Sequence, residues 1–463
     1  MTTATELAEE QAEAPPTPSQ RAAELARMDP QRAMLELAWP GIVGNLTSTL
    51  GQAAIFAFVG HLGAVATAAV GASWQFLFLL FPVWRSLAIG TMAHVSRRMG
   101  EGRIATAADV TRQSLVLGAV AGLAFGVFFV VFARPLLTLI GATDEVAAIG
   151  VPILAIVGGT SLFTTVWYIG VSAMSAAGDT RTPMWMAVLS AVLGVPLGYL
   201  FLIVLALGPV GAAYASVLDS AVVCVVVLVL LWRGRAGLTI AGGSWRLDPQ
   251  LVRSVMSVSL PSAAESSLFS IGILSLSGYA FRLGTNASAA HQIVNQVEGF
   301  SFLPCIGFSG AASALVGQAL GMGEPGRAMR SGWIAVKLSM LWATAAGVAF
   351  VVLARPLLGI FTSDGAVVDA GVGALIVIGV VQPAQAAIFA LGGSLRGAGD
   401  TRFPLMASIV NWLAVRLPIA YVLAFPVGLG LAGIWLAVAV DYVVRAALLT
   451  WRFRSGAWQR VRV

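Results

Sequence analysis

Apolar residues in this chain come in runs far longer than a soluble helix needs. Twelve runs stand out, at roughly 34–60, 65–96, 108–132, 146–171, 184–206, 211–232, 254–281, 287–318, 331–353, 367–393, 404–426 and 431–451. A bilayer core takes about 20 apolar helical residues, so each run is a candidate span, and the longer ones are expected to tilt or overhang. None shows the ten-residue alternation of a membrane strand, so the pattern predicts helices and not a barrel. Composition agrees: 58% of residues are hydrophobic and 10% charged, too little polar surface for a water-soluble fold of 463 residues.

Arginine sets the orientation. With the N-terminus inside, inner segments and helix ends hold 21 Lys and Arg residues, and the outer turns hold three, Arg134, Arg282 and Arg355. The positive-inside rule then places both termini in the cytosol. The net charge of +6 therefore reads as topology, with no nucleic acid among the expected partners. Residues 1–28, acidic and Pro-rich, lack the features of a signal peptide and are expected to form a disordered cytosolic tail. Cys224 and Cys305 lie inside apolar runs and offer neither a disulfide framework nor metal spacing.

The polar segments between runs recur. "SAAGDTRTPM" from Ser175 and "RGAGDTRFPL" from Arg396 share a core 221 positions apart (400 minus 179). The same offset relates Pro40 to Pro261, Gly63 to Gly284, Gly100 to Gly321 and "VVFARPLL" to "VVLARPLL". After one inserted residue the offset is 222, relating Gly211 to Gly433 and Asp219 to Asp441. An Asp before a Pro opens each half, at Asp29 and Asp248, as an N-cap before the first helical residue. Six spans per half is even, so the repeats run parallel. The expected fold is an all-α integral membrane protein, with twelve transmembrane helices in two six-helix repeats around a central cleft. Its divisions are a tail at 1–28, a first lobe at 29–232, a linker at 233–253 and a second lobe at 254–463. The repeated string reads as an inner turn: Gly178 and Gly399 end helices, and Thr182 before Pro183 suits an N-cap.

Ionisable groups at membrane depth are costly and face a cavity or a partner. The carboxylates are Asp219, Glu265, Glu298 and Asp441, and the bases are Arg85, Arg416 and Arg445. Asp441 and Arg445 are four apart and can pair on one helix. Asp219 has Val223 at the matching place, so its partner comes from elsewhere or it is protonated. Glu265 follows Pro261 by four residues, where a freed carbonyl and the carboxylate can hold a proton or Na⁺; otherwise it is a neutral acid bonded to a neighbouring helix. His291, Asn295, Glu298, Phe302 and Cys305 form a stripe at helical spacing, flanked by Gln292 and Gln296. In the first half that register reads Val70, Trp74, Leu77, Phe81 and Trp84. An aromatic wall opposite an acidic, amide-rich one suits a lipophilic cation; ordinary packing around an internal hydrogen-bond network is the alternative. Along the helices, Glu265 and Glu298 differ by roughly 10 Å in depth, so they are expected to act as two stations in one cavity. The histidines His61 and His94 sit at span ends and are expected to be interfacial. Signatures of nucleotide, serine-hydrolase and zinc chemistry are missing, so no enzyme is expected.

With "GHLG", "AAHQIVNQVEGFSFLPCIGFSGAASALVGQALGMGEPGRA" and "LGGSLRGAGDTRFP" in place, the chain resembles the multidrug and toxic-compound extrusion (MATE) family over about 34–455, nearest its DinF-like bacterial members. The resemblance implies a monomeric inner-membrane antiporter that exports small organic, often cationic, compounds in exchange for H⁺ or Na⁺, with no cofactor. Two positions depart from it. Many members carry Asp in the first span where this chain has Ile55, and some branches carry Asp in the tenth where it has Gln385. Glu265 matches a Glu after the Pro of the seventh span in similar sequences. The resemblance thus directs coupling to Glu265 with Glu298, with Asp219 a third carboxylate and Na⁺ near Glu265 the one metal expectation. The substrate cavity is expected at Trp74, Phe81, Arg85, His291, Gln292, Asn295, Phe302 and Gln385. A lipid-linked saccharide flippase of related fold is the alternative, with a more cationic cavity; a non-transporting membrane scaffold is a further one.

Overall fold

The computed structural model describes residues 24, 25, 27–60, 62, 64–139 and 143–461. The first lobe contains α1 (Pro30–Gly60), α2 (Ala64–Gly100), α3 (Ile104–Leu139), α4, α5 and α6 (Val210–Trp232). Here α4 is broken at Thr160 into Asp144–Gly159 and Ser161–Ala176, bent by 43°, and α5 is Arg181–Tyr199 extended by a π-turn at Leu200–Val204. The second lobe contains α7 (Pro249–Arg282), α8 (Thr285–Gly321), α9 (Pro325–Val352), α10 (Gly365–Gly397), α11 and α12 (Gly430–Arg454). Within α11, Arg402–Val410 and Leu417–Ala424 flank a π-helical segment, Asn411–Arg416. Nine helices among the described residues are long and apolar enough to cross a bilayer, and the bent α4 makes a tenth. The 37-residue α2 and the 34-residue α7 complete the twelve by length, α7 with nine serines that lower its mean hydropathy.

Both lobes start the same way. Asp29 Oδ2 accepts from the Gln31 backbone N–H at 3.0 Å, and Asp248 Oδ1 from that of Gln250 at 2.9 Å. These are the anticipated caps, and they start α7 five residues before the 254 boundary. The linker is less independent than its polar sequence suggests, since Leu238 and Ile240 are buried in the first lobe's core. Of the tail, residues 1–23 and 26 lie outside the described part. The remainder is not loose: Leu25 is buried in the core, and the Leu25 carbonyl accepts from the Arg327 guanidinium. Burial of one leucine and satisfaction of one arginine hold it there.

The lobes meet at the end that carries both termini, and the close backbone contacts there are reciprocal. A methyl group on Gly100 would overlap the Gln318 carbonyl oxygen; one on Gly321 would overlap that of Arg97. Gly321 is the repeat partner of Gly100, and Gln318 that of Arg97, at the offset of 221. Ser96 likewise abuts its own partner, Gly317. In the same way α2 packs on α7 through Gly90 against Ser259, while α8 packs on α1 through Gly307 against Ala38. A pseudo-two-fold axis therefore passes between Gly100 and Gly321, the relation expected of parallel repeats. His94 reinforces this seam, with ring nitrogens 2.9 Å from the Gly90 carbonyl and 2.8 Å from Ser254 Oγ. It is buried between the lobes and not at a water interface, because it shares a face with Gly90. His61 lies outside the described residues. Towards the other end the cores separate: one holds Leu276, Val294 and Trp435 of the second lobe, others Val59, Leu77 and Phe129 of the first. The cleft opens to that end.

The two Gly-Asp-Thr-Arg strings are turns. Gly178 and Gly399 take φ of 93° and 86° after α4 and α10. The expected Thr182 cap is corrected, because α5 starts at Arg181 and Asp179 does the capping. Asp179 Oδ1 accepts from the Thr182 N–H at 3.0 Å and Oδ2 from its hydroxyl at 2.7 Å.

Candidate functional site

The polar stripe of α8 turns into the second lobe and not into the cleft. His291, Glu298 and Cys305 are buried there. Glu298 Oε1 accepts from Gln385 Nε2 of α10 at 2.7 Å and from the Tyr442 hydroxyl of α12 at 2.9 Å; Gln385 Nε2 also lies 3.1 Å from that hydroxyl. Both donors fall on one carboxylate oxygen. Beside them, Arg416 lies 5.5 Å from the Tyr442 ring centroid and 4.2 Å from that of Trp412. Its Nη1 is 3.3 Å from Asp441 Oδ2, and Arg445 Nη2 is 3.2 Å from both Asp441 oxygens. The anticipated Asp441–Arg445 pair is present, with Arg416 as a second cation. Four charged groups thus share one membrane-depth cluster, two acids and two bases.

The rest of the stripe packs locally. The His291 ring lies 5.4 Å from that of Trp435, and neither ring nitrogen has a hydrogen-bond partner among the described residues. Asn295 Nδ2 donates to the His291 carbonyl, and Phe302 stacks on Phe389 at 5.8 Å. The expectation that His291 and Gln385 line the cleft is corrected, since both are buried within the lobe. Polar groups in a span must avoid lipid, and here they do so by facing α10 and α12.

The cleft is lined by the neighbouring face of α8. Gln292, Gln296 and Phe300 are exposed, and along the same face Gly307 meets α1 of the other lobe. Gln75 of α2 is also exposed and is the repeat partner of Gln296 (296 minus 75 is 221). Two amides related by the pseudo-two-fold therefore look across the cleft. Sequence reasoning missed Gln75, although the shared register could have found it. Trp74 is 40% exposed beside it, whereas Val70, Leu77 and Trp84 are buried in the first lobe, so among the described side chains of that register Trp74 is the open one. The Phe81 side chain lies outside what the structure describes. Arg85 is exposed to the cleft, within Coulombic reach of Tyr168 and of Arg396 from the opposite lobe.

Glu265 stands apart from Glu298, as the depth argument expected. Its Oε2 is 3.5 Å from Arg396 Nη1, and its Oε1 accepts from Ser408 Oγ at 3.4 Å. A guanidinium already neutralises it, so sodium there would have to displace Arg396. Among the described residues no group of three or more His, Cys, Asp or Glu side chains converges on a point. Asp219, in the first lobe, accepts from Ser190 Oγ at 2.7 Å, and its Oδ1 has no partner among the described residues. A Cβ on Gly194 would lie 3.7 Å from Ile55 and 3.9 Å from Asp219. The position where many family members carry a first-span Asp thus lies beside a carboxylate that this chain supplies from α6.

Comparisons with known proteins match this arrangement. The sequence profile of the MatE family fits the chain twice, over residues 40–200 and 261–422. Those limits repeat the 221 and 222 offsets (261 minus 40, 422 minus 200). The "Probable multidrug resistance protein NorM" of Thermotoga maritima is 27% identical over 442 residues, 93% of each chain. Its namesake in Bradyrhizobium diazoefficiens is 30% identical over 438 residues, 90% of this chain and 92% of that one. A MOP superfamily transporter from Pyrococcus furiosus has the same fold, at a TM-score of 0.88 and 22% identity over 95% of this chain and 98% of that one. A MATE transporter solved in an outward-facing conformation gives 0.89, at 22% identity over 95% and 98%. The duplicated profile, the paired lobes and the shared fold agree, and the chain belongs to the MatE family of membrane transporters, not to the enzymes.

Proposed function

We propose that this transporter exports small organic compounds, lipophilic cations foremost, by alternating access of the interlobe cleft in exchange for H⁺ or Na⁺. It acts as a monomer in a bacterial plasma membrane with both termini in the cytosol. Relatives named for multidrug resistance support the substrate class. So does the cleft, where Trp74 and Phe300 offer ring faces and Gln75 and Gln296 offer amides. Arg416 and Arg396 each have a carboxylate partner, so neither adds a net positive charge to the cleft. That favours export of cations over the flippase alternative.

The observation that carries the coupling proposal is the buried Glu298. Its hydrogen-bond donors are neutral, and the nearby guanidinium of Arg416 is held by Asp441. With Glu298 ionised, the cluster of Glu298, Asp441, Arg416 and Arg445 sums to zero; one proton makes it +1. A protonated cluster repels a cation in the cleft, so proton and substrate exclude each other, as exchange requires. Glu265 and Asp219 are the further stations, one per lobe.

Titration of the purified protein with ethidium or tetraphenylphosphonium tests this. The expected result is proton or sodium release on substrate binding, lost in Glu298→Gln and diminished in Glu265→Gln. If neither ion is released and both variants transport like wild type, the exchange proposal is wrong.

A further inference from the structure

The two Gly-Asp-Thr-Arg turns diverge in what surrounds them. In the first lobe, Asp179 Oδ2 accepts from Arg235 Nε at 3.0 Å, and the same Nε lies 3.1 Å from Thr182 Oγ1. Arg235 comes from the linker, which then buries Leu238 and Ile240 against that lobe. The linker therefore fills the notch beside the first turn. In the second lobe, Asp400 makes the corresponding bond, accepting from Arg452 Nε of α12 at 2.8 Å. Phe403 stands where the first copy has Thr182.

The notch beside this turn is an open cavity of about 520 Å³. Ser257 and Val258 of α7, Gly399 and Asp400 of the turn, Arg402, Phe403 and Met406 at the head of α11, Arg452 of α12 and Val461 beyond it line the cavity. Two arginines against one aspartate leave a net charge of +1. Asp400 engages only the Nε of Arg452, whose guanidinium also lies 5.3 Å from the Phe403 centroid; Arg402 is exposed. Phe403 and Met406 form an apolar wall, with Met406 58% exposed, over the buried Val258.

Depth decides what such a site meets. It lies at the first residues of α11 and the last of α12, with Val258 nine residues into α7, about 14 Å along the axis. That spans the boundary between headgroups and acyl chains, at the end of the bundle bearing the termini. We infer that the cavity binds the phosphate headgroup of one anionic phospholipid from the adjoining leaflet. Arg402 and Arg452 hold the phosphate, and the proximal acyl chain lies along Phe403 and Met406. A lipid there bridges α7 to α11 and α12, the part played by the linker in the first lobe.

Native mass spectrometry of the full chain released from nanodiscs tests this. Phosphatidylglycerol is titrated into a phosphatidylcholine background, and inorganic phosphate is added in a parallel series. Wild type is expected to retain one phosphatidylglycerol in preference to phosphatidylcholine. Arg402→Gln should weaken retention about fivefold, the share of one surface cation. Met406→Trp, which keeps the charge but fills the cavity, should abolish it while leaving thermal unfolding unchanged. Equal retention of both lipids, or retention unaffected by either variant, overturns the inference. So does displacement of the lipid by inorganic phosphate at equal concentration, which would assign the site to a soluble anion.

Discussion

Replacing Gly100 by alanine should drive the lobes apart at the end that carries the termini. The added methyl overlaps the Gln318 carbonyl oxygen, a backbone atom that cannot swing aside as a side chain would. Overfilling a packed contact costs about 1–3 kcal/mol. That cost falls only on the conformer in which α2 and α8 touch; with the lobes parted, the methyl sits in open space. The equilibrium between the two conformers therefore shifts by about 5- to 150-fold. A seam closed 100:1 in the parent protein would fall to between about 20:1 and 1:1. Spin labels at Arg103 and Glu324, on the turns flanking the seam, report this as a second, longer distance in pulsed dipolar spectra. Gly321→Ala must shift the population by a similar amount, because it meets the Arg97 carbonyl in the reciprocal way. Gly373→Ala, with nothing near its added methyl, is the control. Unchanged distances in both seam variants would refute the reasoning, and a large effect from one alone would refute the reciprocity.

Two further outcomes follow from the charged groups. Asp441→Asn removes the shared counter-ion of Arg416 and Arg445, all three buried, and should cost about 3–5 kcal/mol; scanning fluorimetry in detergent should show a lower melting temperature, and an unchanged one would contradict the pairing. Arg396→Ala releases Glu265 from its guanidinium and should make dye efflux more responsive to sodium than in wild type; superimposable sodium titrations would contradict the role assigned to Arg396.

The repeat register carried most of the fold into view before any coordinates. It located the helix starts at Asp29 and Asp248, the paired turns, and the parallel relation now seen at Gly100 and Gly321. Helical spacing also grouped His291 with Glu298 correctly. What spacing cannot give is azimuth. A polar stripe must avoid lipid, but the lobe interior and the cleft satisfy that equally well, and α8 chose the interior. Tyr442 was missed because a tyrosine in a span carries no charge and reads as packing. Arg396 was taken as a topology marker because it lies near a span end. Its long side chain nevertheless reaches Glu265, a contact between α10 and α7 that local sequence does not encode.

The π-helical segment of α11 bears on how the lobes came to differ. Between Asp400 and Gly433 the offset between halves grows from 221 to 222, so the second half is one residue longer there. Inside an α-helix a single extra residue would turn everything beyond it by about 100°. A π-turn absorbs the extra residue locally and leaves the following faces where they were. The segment Asn411–Arg416 lies within that interval; the stretch of α5 that matches it is α-helical, and the π-turn of α5 comes later, at Leu200–Val204. It presents Asn411, Trp412 and Arg416 to the buried side, Arg416 against Asp441. The extra residue thus accompanies a buried arginine, Arg416, beside the carboxylate shared by both lobes, where the first lobe has no arginine at the matching place.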